Sequence, residues 1–230
     1  MKKTFYLIIL VSLLAAGCLE TKEAWPATVS DSILGELGWI SAGDVVKQSQ
    51  IQEIAGNSVK LNMAIMPYMD DTLAKDIKGQ VRKTTTRSLD DNAVTSQLTS
   101  KLTTLRLVLP SGISLPSSIV NSFIDSQIQM IASQNNIQDF HNTGKKSITL
   151  ANGKNVDVTI FKGRISEDFG TADIKGMLSS WSDSGSTIIV FGIMPEADII
   201  IKPEDGETFT IKIDSEKESK KMEKLIQNVK

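Results

Sequence analysis

Cysteine occurs once in these 230 residues, at Cys18, and histidine once, at His141. No disulfide can therefore form within the chain, so its fold must hold by core packing alone. A metal site or a catalytic triad has a single imidazole to draw on. The six prolines are scattered, which excludes a proline-rich linker, and aromatic residues make up only 5%. Charge of one sign is also missing, with 25 basic against 27 acidic residues. Such a balance argues against a nucleic-acid partner, which calls for a basic footprint. It leaves no polybasic tract for anionic lipid. After residue 17 no run is long and apolar enough to cross a bilayer, which takes about 20 residues. What is present, 40% hydrophobic residues rich in Ile, Val and Leu, suits one globular domain of ordinary size.

The first thirty residues carry an address. Lys2 and Lys3 precede the apolar run Phe5 to Gly17, broken only by Ser12. A basic start, a short apolar stretch and small residues before a cut form a secretory signal. The stretch Leu14-Ala15-Ala16-Gly17-Cys18 resembles the lipobox of membrane lipoproteins. That resemblance implies cleavage of residues 1–17 and a lipid on the Cys18 thiol, the one soft nucleophile of the segment. Residues 18–27 then read as the lipidated cysteine and a short tether. The eight residues Leu19 to Pro26 reach at most about 26 Å. Residues 28–230 read as a single α+β domain.

Hydrophobic period divides that domain into elements. Thr28 to Leu37 reads as a helix capped by Thr28, with Val29, Ile33, Leu34 and Leu37 on one face and Gly38 as its stop. Trp39 to Gln48 and Val59 to Met66 read as strands joined through "QEIAGNS". The polar stretch 75–101 reads as a long loop or an edge hairpin. Leu102 to Leu109 is strand-like. A helix then starts near Pro116, with Val120, Phe123, Ile124, Ile128 and Ile131 at helical spacing. Lys146 to Leu150 and Asn155 to Lys162 flank an Asn152-Gly153 turn, the plainest hairpin signal of the chain. Ala172 to Trp181 and Thr187 to Met194 pair across "SDSG", and Ile188 to Phe191 is apolar on both faces, as a central strand requires. "PEDGE" turns a small hairpin between Ile199 and Ile213. The last helix starts at Ser215, with Glu218 completing a capping box. Met222, Leu225, Ile226 and Val229 form its apolar stripe, and Lys220, Lys221 and Lys224 face water. Helices packed on an antiparallel sheet make an α+β fold.

Two resemblances follow. The run "GKKSITLANGKNVDVTIFKGRI", with a strand pair and a final helix after it, resembles the second half of Mog1/PsbP-like domains. The layout "AAGCL", "PATVSDSILGELGW", "IAGNSVKLNMAI" and "FGIMP" resembles an uncharacterised family of predicted archaeal lipoproteins, known mostly from halophiles. Together they imply a Mog1/PsbP-like sandwich used as a binding or assembly module. They carry over no catalytic residues.

Candidate chemistry is thin. His141 in "DFHNTG" has only Asp139 nearby and reads as a surface turn residue. A Ser-His-Asp triad need not be local in sequence, yet no G-x-S-x-G elbow places a nucleophile. Asp70-Asp71 and Asp90-Asp91 offer oxygen ligands for calcium but lack EF-hand spacing, and read as solvent-facing. Met63, Met66 and Met69, three apart, are the weak metal candidates, since thioethers favour Cu(I). Packing at a strand end is their plainer reading. The expectation is a lipid-anchored, extracytoplasmic domain that needs no cofactor. It binds a protein or small ligand through one face of its sheet and is not an enzyme. An enzyme of unrecognised type and a copper-binding lipoprotein are the rival readings.

Overall fold

The computed structural model describes residues 22–54, 57–84, 90–110, 122, 124–126, 128–129, 132–133, 136–203 and 207–230. Ten antiparallel strands form one open sheet. In chain order they are β1 (Trp39–Ser41), β2 (Val46–Ile54), β3 (Asn57–Asp70), β4 (Lys101–Val108), β5 (Ile137–Thr149), β6 (Asn155–Glu167), β7 (Gly170–Asp183), β8 (Ser186–Pro195), β9 (Ile199–Ile201) and β10 (Phe209–Ile211). The helices are α1 (Asp31–Leu37), α2 (Asp71–Thr84), α3 (Asp91–Leu98) and α4 (Ser215–Gln227), with further helical residues between 122 and 133. The fold is α+β, dominated by its sheet.

Strand order across the sheet is β1-β3-β4-β8-β7-β6-β5, with β2 beside the first half of β3 and β9 beside the start of β7. The apolar run Ile188 to Phe191 lies in β8, between β4 and β7, as its two-sided pattern requires. Alternate side chains of β8 feed two separate cores. Ile189, Phe191 and Ile193 join Leu73, Ile77 and Val81 of α2, Val94 and Leu98 of α3, and Ile124. Ile188, Val190 and Met194 join Leu34 of α1 and Met222, Leu225 and Ile226 of α4. Helices thus pack on both sides of the sheet, α2 and α3 on one and α1 and α4 on the other. Burying each of these large side chains contributes about 1.5–3 kcal/mol.

The hairpins follow their turn residues. Ser184 (φ 48°) and Gly185 (φ 81°) make a two-residue type I′ loop between β7 and β8. Between β5 and β6, Gly153 takes φ 83° and donates its N–H to the Leu150 carbonyl. Ile199–Ile201 and Phe209–Ile211 pair as expected. The middle of their turn, residues 204–206, lies outside the described residues. So do Pro116, Val120, Phe123 and Ile131 of the middle helix, whose Ile124 is buried and whose Ile128 packs on the core.

Several elements differ from the sequence reading. Within 75–101 the described residues form neither a long loop nor a hairpin. They hold most of α2 and all of α3, because Leu73, Ala74, Ile77 and Val81 make a buried stripe and Asp90 caps α3 through the Asn92 and Ala93 amides. Thr28 does not cap α1. It exchanges both backbone hydrogen bonds with Lys230, and Ser30 stands at the helix start. The first expected strand splits at residues 42–45 into β1 and β2. At α4 the cap is Asp214, which accepts from the Lys217 amide (3.0 Å).

Candidate functional site

Residues 22–27 are not a free tether. They lie along β3 as a strap on the α4 side of the sheet, with Ala24 and Ala27 buried. Asn62 Nδ2 donates to the Lys22 carbonyl (2.8 Å), and Thr104 Oγ1 donates to the Ala27 carbonyl (2.5 Å). The Val29 amide donates to the Tyr68 hydroxyl (3.2 Å). Small residues at 24 and 27 let the backbone approach Ala64 and Val108, which share a cluster with Ala24. Trp25 stacks over the guanidinium of Arg106, 5.0 Å from ring centre to Cζ. Arg106 is itself buried. Its Nη1 reaches Asp183 Oδ2 and Ser186 Oγ, both at 2.8 Å. The hydrogen bond from Arg106 holds the Asp183 carboxyl below the usual carboxylate range.

An open cleft of about 340 Å³ separates the strap from the β2–β3 hairpin. Ser49 Oγ donates to Asn62 Oδ1 (2.7 Å) in its floor, and Lys47 Nζ reaches Glu23 Oε1 (2.5 Å) across it. Lys60 also lines it. The cleft is polar, shallow and solvated. It can hold an anionic or hydrogen-bonding group.

A second polar cluster is closed to solvent. Lys221 Nζ lies 2.6 Å from Asp70 Oδ2 and 2.9 Å from Glu218 Oε1, and Ser100 Oγ donates to Glu218 Oε2 (3.0 Å). Asp70 Oδ1 accepts from the Leu73 amide, which caps α2. Lys221 therefore does not point to water, because two buried carboxylates on one side of α4 demand a cation. Burial pushes the Glu218 carboxyl up and the Asp70 charge adds to the rise, against the Lys221 hydrogen bond. Burial alone would lower the Lys221 ammonium, but its bonds to Asp70 and Glu218 outweigh it and hold it raised. The cluster bolts α4 to the α2 end of the sheet.

The other candidates do not converge. His141 lies in the end strand β5, in register with Lys162 rather than in a turn, and is exposed with Nδ1 2.6 Å from the Asp139 carbonyl. Asp70 is buried rather than solvent-facing. Asp90 caps α3, and Asp91 pairs with Arg82 and Lys78. Among the described residues no group of three or more His, Cys, Asp or Glu is placed to hold a metal. Met63 packs in one core and Met66 against the other, as alternation along β3 dictates. Met69 shares the parity of Met63 but stands six residues on, about 20 Å along a strand. Three thioethers so spread cannot share one copper ion. Cys18 lies outside the described residues.

The strap was missed because its residues carry no period. Its signal was the pairing of small Ala24 and Ala27 with Trp25 just before the first helix.

Sheet, strap and helices define a β-dominated α+β domain. Residues 26–230 match a domain of unknown function, DUF6517, and the chain belongs to that family. No match was found among curated proteins.

Proposed function

We propose that this is a lipid-anchored extracytoplasmic protein, held by a lipid on Cys18, that binds rather than catalyses. Its recognition surface is the rim formed by the strap and the β2–β3 hairpin. The observation that carries the reading is the strap itself. A lipobox-like cysteine stands four positions before Lys22, where the chain docks onto the fold, so anchor and binding rim are joined. The family domain starts at residue 26, which leaves the apolar leader outside it. The buried charges of the described residues are held in ion pairs, Asp70 and Glu218 with Lys221 and Arg106 with Asp183.

The Mog1/PsbP-like and archaeal-lipoprotein resemblances belong to this proposal. The quoted hairpin falls on β5 and β6, followed by β7, β8 and α4 as those domains would have it.

Fractionation tests the anchor. The wild-type chain should stay with carbonate-washed membranes and carry a lipid mass on Cys18, and Cys18→Ala should do neither. A Cys18→Ala protein that remains membrane-bound would overturn the reading.

A further inference from the structure

The rim has a partner that its position selects, provided the anchor reading holds. Lys22 is fixed to Asn62, and four Cα–Cα steps separate it from Cys18. Those steps span at most about 15 Å. Asn62 pairs with Val108 at the end of β4, and residues 57–61 of β3 continue beyond it, paired with β2 alone. Five strand residues extend the hairpin by about 17 Å. The overhang is thus as long as the leash, and it leaves the fold at the same end.

One face of this overhang is consumed by the core, which holds Val59 and Leu61. The other, on the strap side, is open. Ile51 there is 70% exposed, opposite Lys60 in the strand register. Exposed Lys22 and Lys47 flank it, and Lys154 lies in the β5–β6 turn at the same end of the sheet. Of the acids nearby, Glu23 is paired with Lys47, and Glu53, at the register position opposite Ser58, shares the parity of Ile51.

We infer that this open face of the β2–β3 hairpin lies against the headgroup layer of the membrane, so that the domain sits flush on the bilayer in one fixed orientation. A leash no longer than the overhang cannot lift the hairpin clear of the surface. An exposed isoleucine among lysines suits the apolar–anionic boundary of a lipid surface.

The test couples the mature chain, through Cys18, to a maleimide phospholipid in phosphatidylglycerol–phosphatidylcholine vesicles. Lysine acetylation rates are then read by mass spectrometry. The reference is the same chain with Cys18 capped, among the same vesicles. Lys47 and Lys60 should react at least threefold more slowly when coupled, while Lys217, at the other end, should not change. Equal rates at both ends would overturn the inference. So would protection by inorganic phosphate alone, which would mark a free-anion site, or protection that grows with protein density, which would mark a second copy. Because coupling is chemical, this outcome is independent of natural lipidation, which the mass of Cys18 from native membranes decides separately.

Discussion

Lys221, in the second turn of α4, reaches 151 positions back along the chain to Asp70, at the junction of β3 and α2, with Nζ 2.6 Å from Oδ2. The pair is buried with Glu218 and joins the last helix to the start of the strand–helix corner. Breaking a buried pair strands a charge and typically costs about 3–5 kcal/mol. Lys221→Ala should therefore lower stability by that amount in urea unfolding. Lys217→Ala, on the exposed side of the same helix, should leave the midpoint nearly unchanged. Equal small shifts would mean the ion pair contributes nothing.

Glu218 makes stability depend on pH in the unusual direction. Its carboxyl is raised in the folded chain, chiefly by burial. A raised group contributes stability that is fully present below its unfolded pKa, about 4.3, and lost as pH rises through its folded value. Glu218→Gln removes that titration while keeping an acceptor for Ser100. The stability of Glu218→Gln relative to wild type should thus climb between pH 4 and neutrality. A relative stability that stayed flat or fell across this window would refute the assignment.

Most of the fold was legible because two periods wrote it. Alternation marked β6, the two-sided run marked β8 as central, and the stripe of Met222, Leu225 and Ile226 marked α4. What stayed hidden depended on distant partners. Glu218 stands four before Met222 and seven before Leu225, at the head of that stripe, and a charge there demands a buried partner. Local capping chemistry offered a competing explanation, and nothing in sequence pointed to Asp70. In α2, a polar face and the "RKTTTR" run that begins in its last turn masked a stripe as regular as that of α4. The candidate rim was invisible for a different reason: a strap has no period at all.

Asp183 tests how far the strap depends on the guanidinium beneath it. Its bond to Arg106 holds the carboxyl below its ordinary value. A depressed group contributes stability above its unfolded pKa and loses it as pH falls through the lower folded one. Asp183→Asn should cost about 1–3 kcal/mol at neutral pH by leaving Arg106 short of a partner, less than a fully buried pair because Asp183 is 38% exposed. The deficit should shrink toward acid, where the wild type loses the same interaction. Chemical unfolding at pH 7 and at pH 3 decides it, and a deficit that persisted unchanged at pH 3 would place the effect elsewhere.

Gly192 and Met222 offer the sharpest check on how α4 docks. A Cβ on Gly192 would lie 2.2 Å from Met222 Sδ and 2.8 Å from its Cε, at the middle of β8 under the helix. The absence of a side chain there is what lets Met222 sit fully buried on the strand. Overpacking of this kind costs about 1–3 kcal/mol, so Gly192→Ala should destabilise the domain by that much. Shortening the opposing side chain makes room, though Met222→Ala alone should cost about 2–5 kcal/mol through lost contacts and a cavity. The double variant should therefore be more stable than the sum of the single effects predicts. A positive coupling energy in a double-mutant cycle would fix the contact. Strictly additive losses would mean the helix rides higher on the sheet than Met222 indicates.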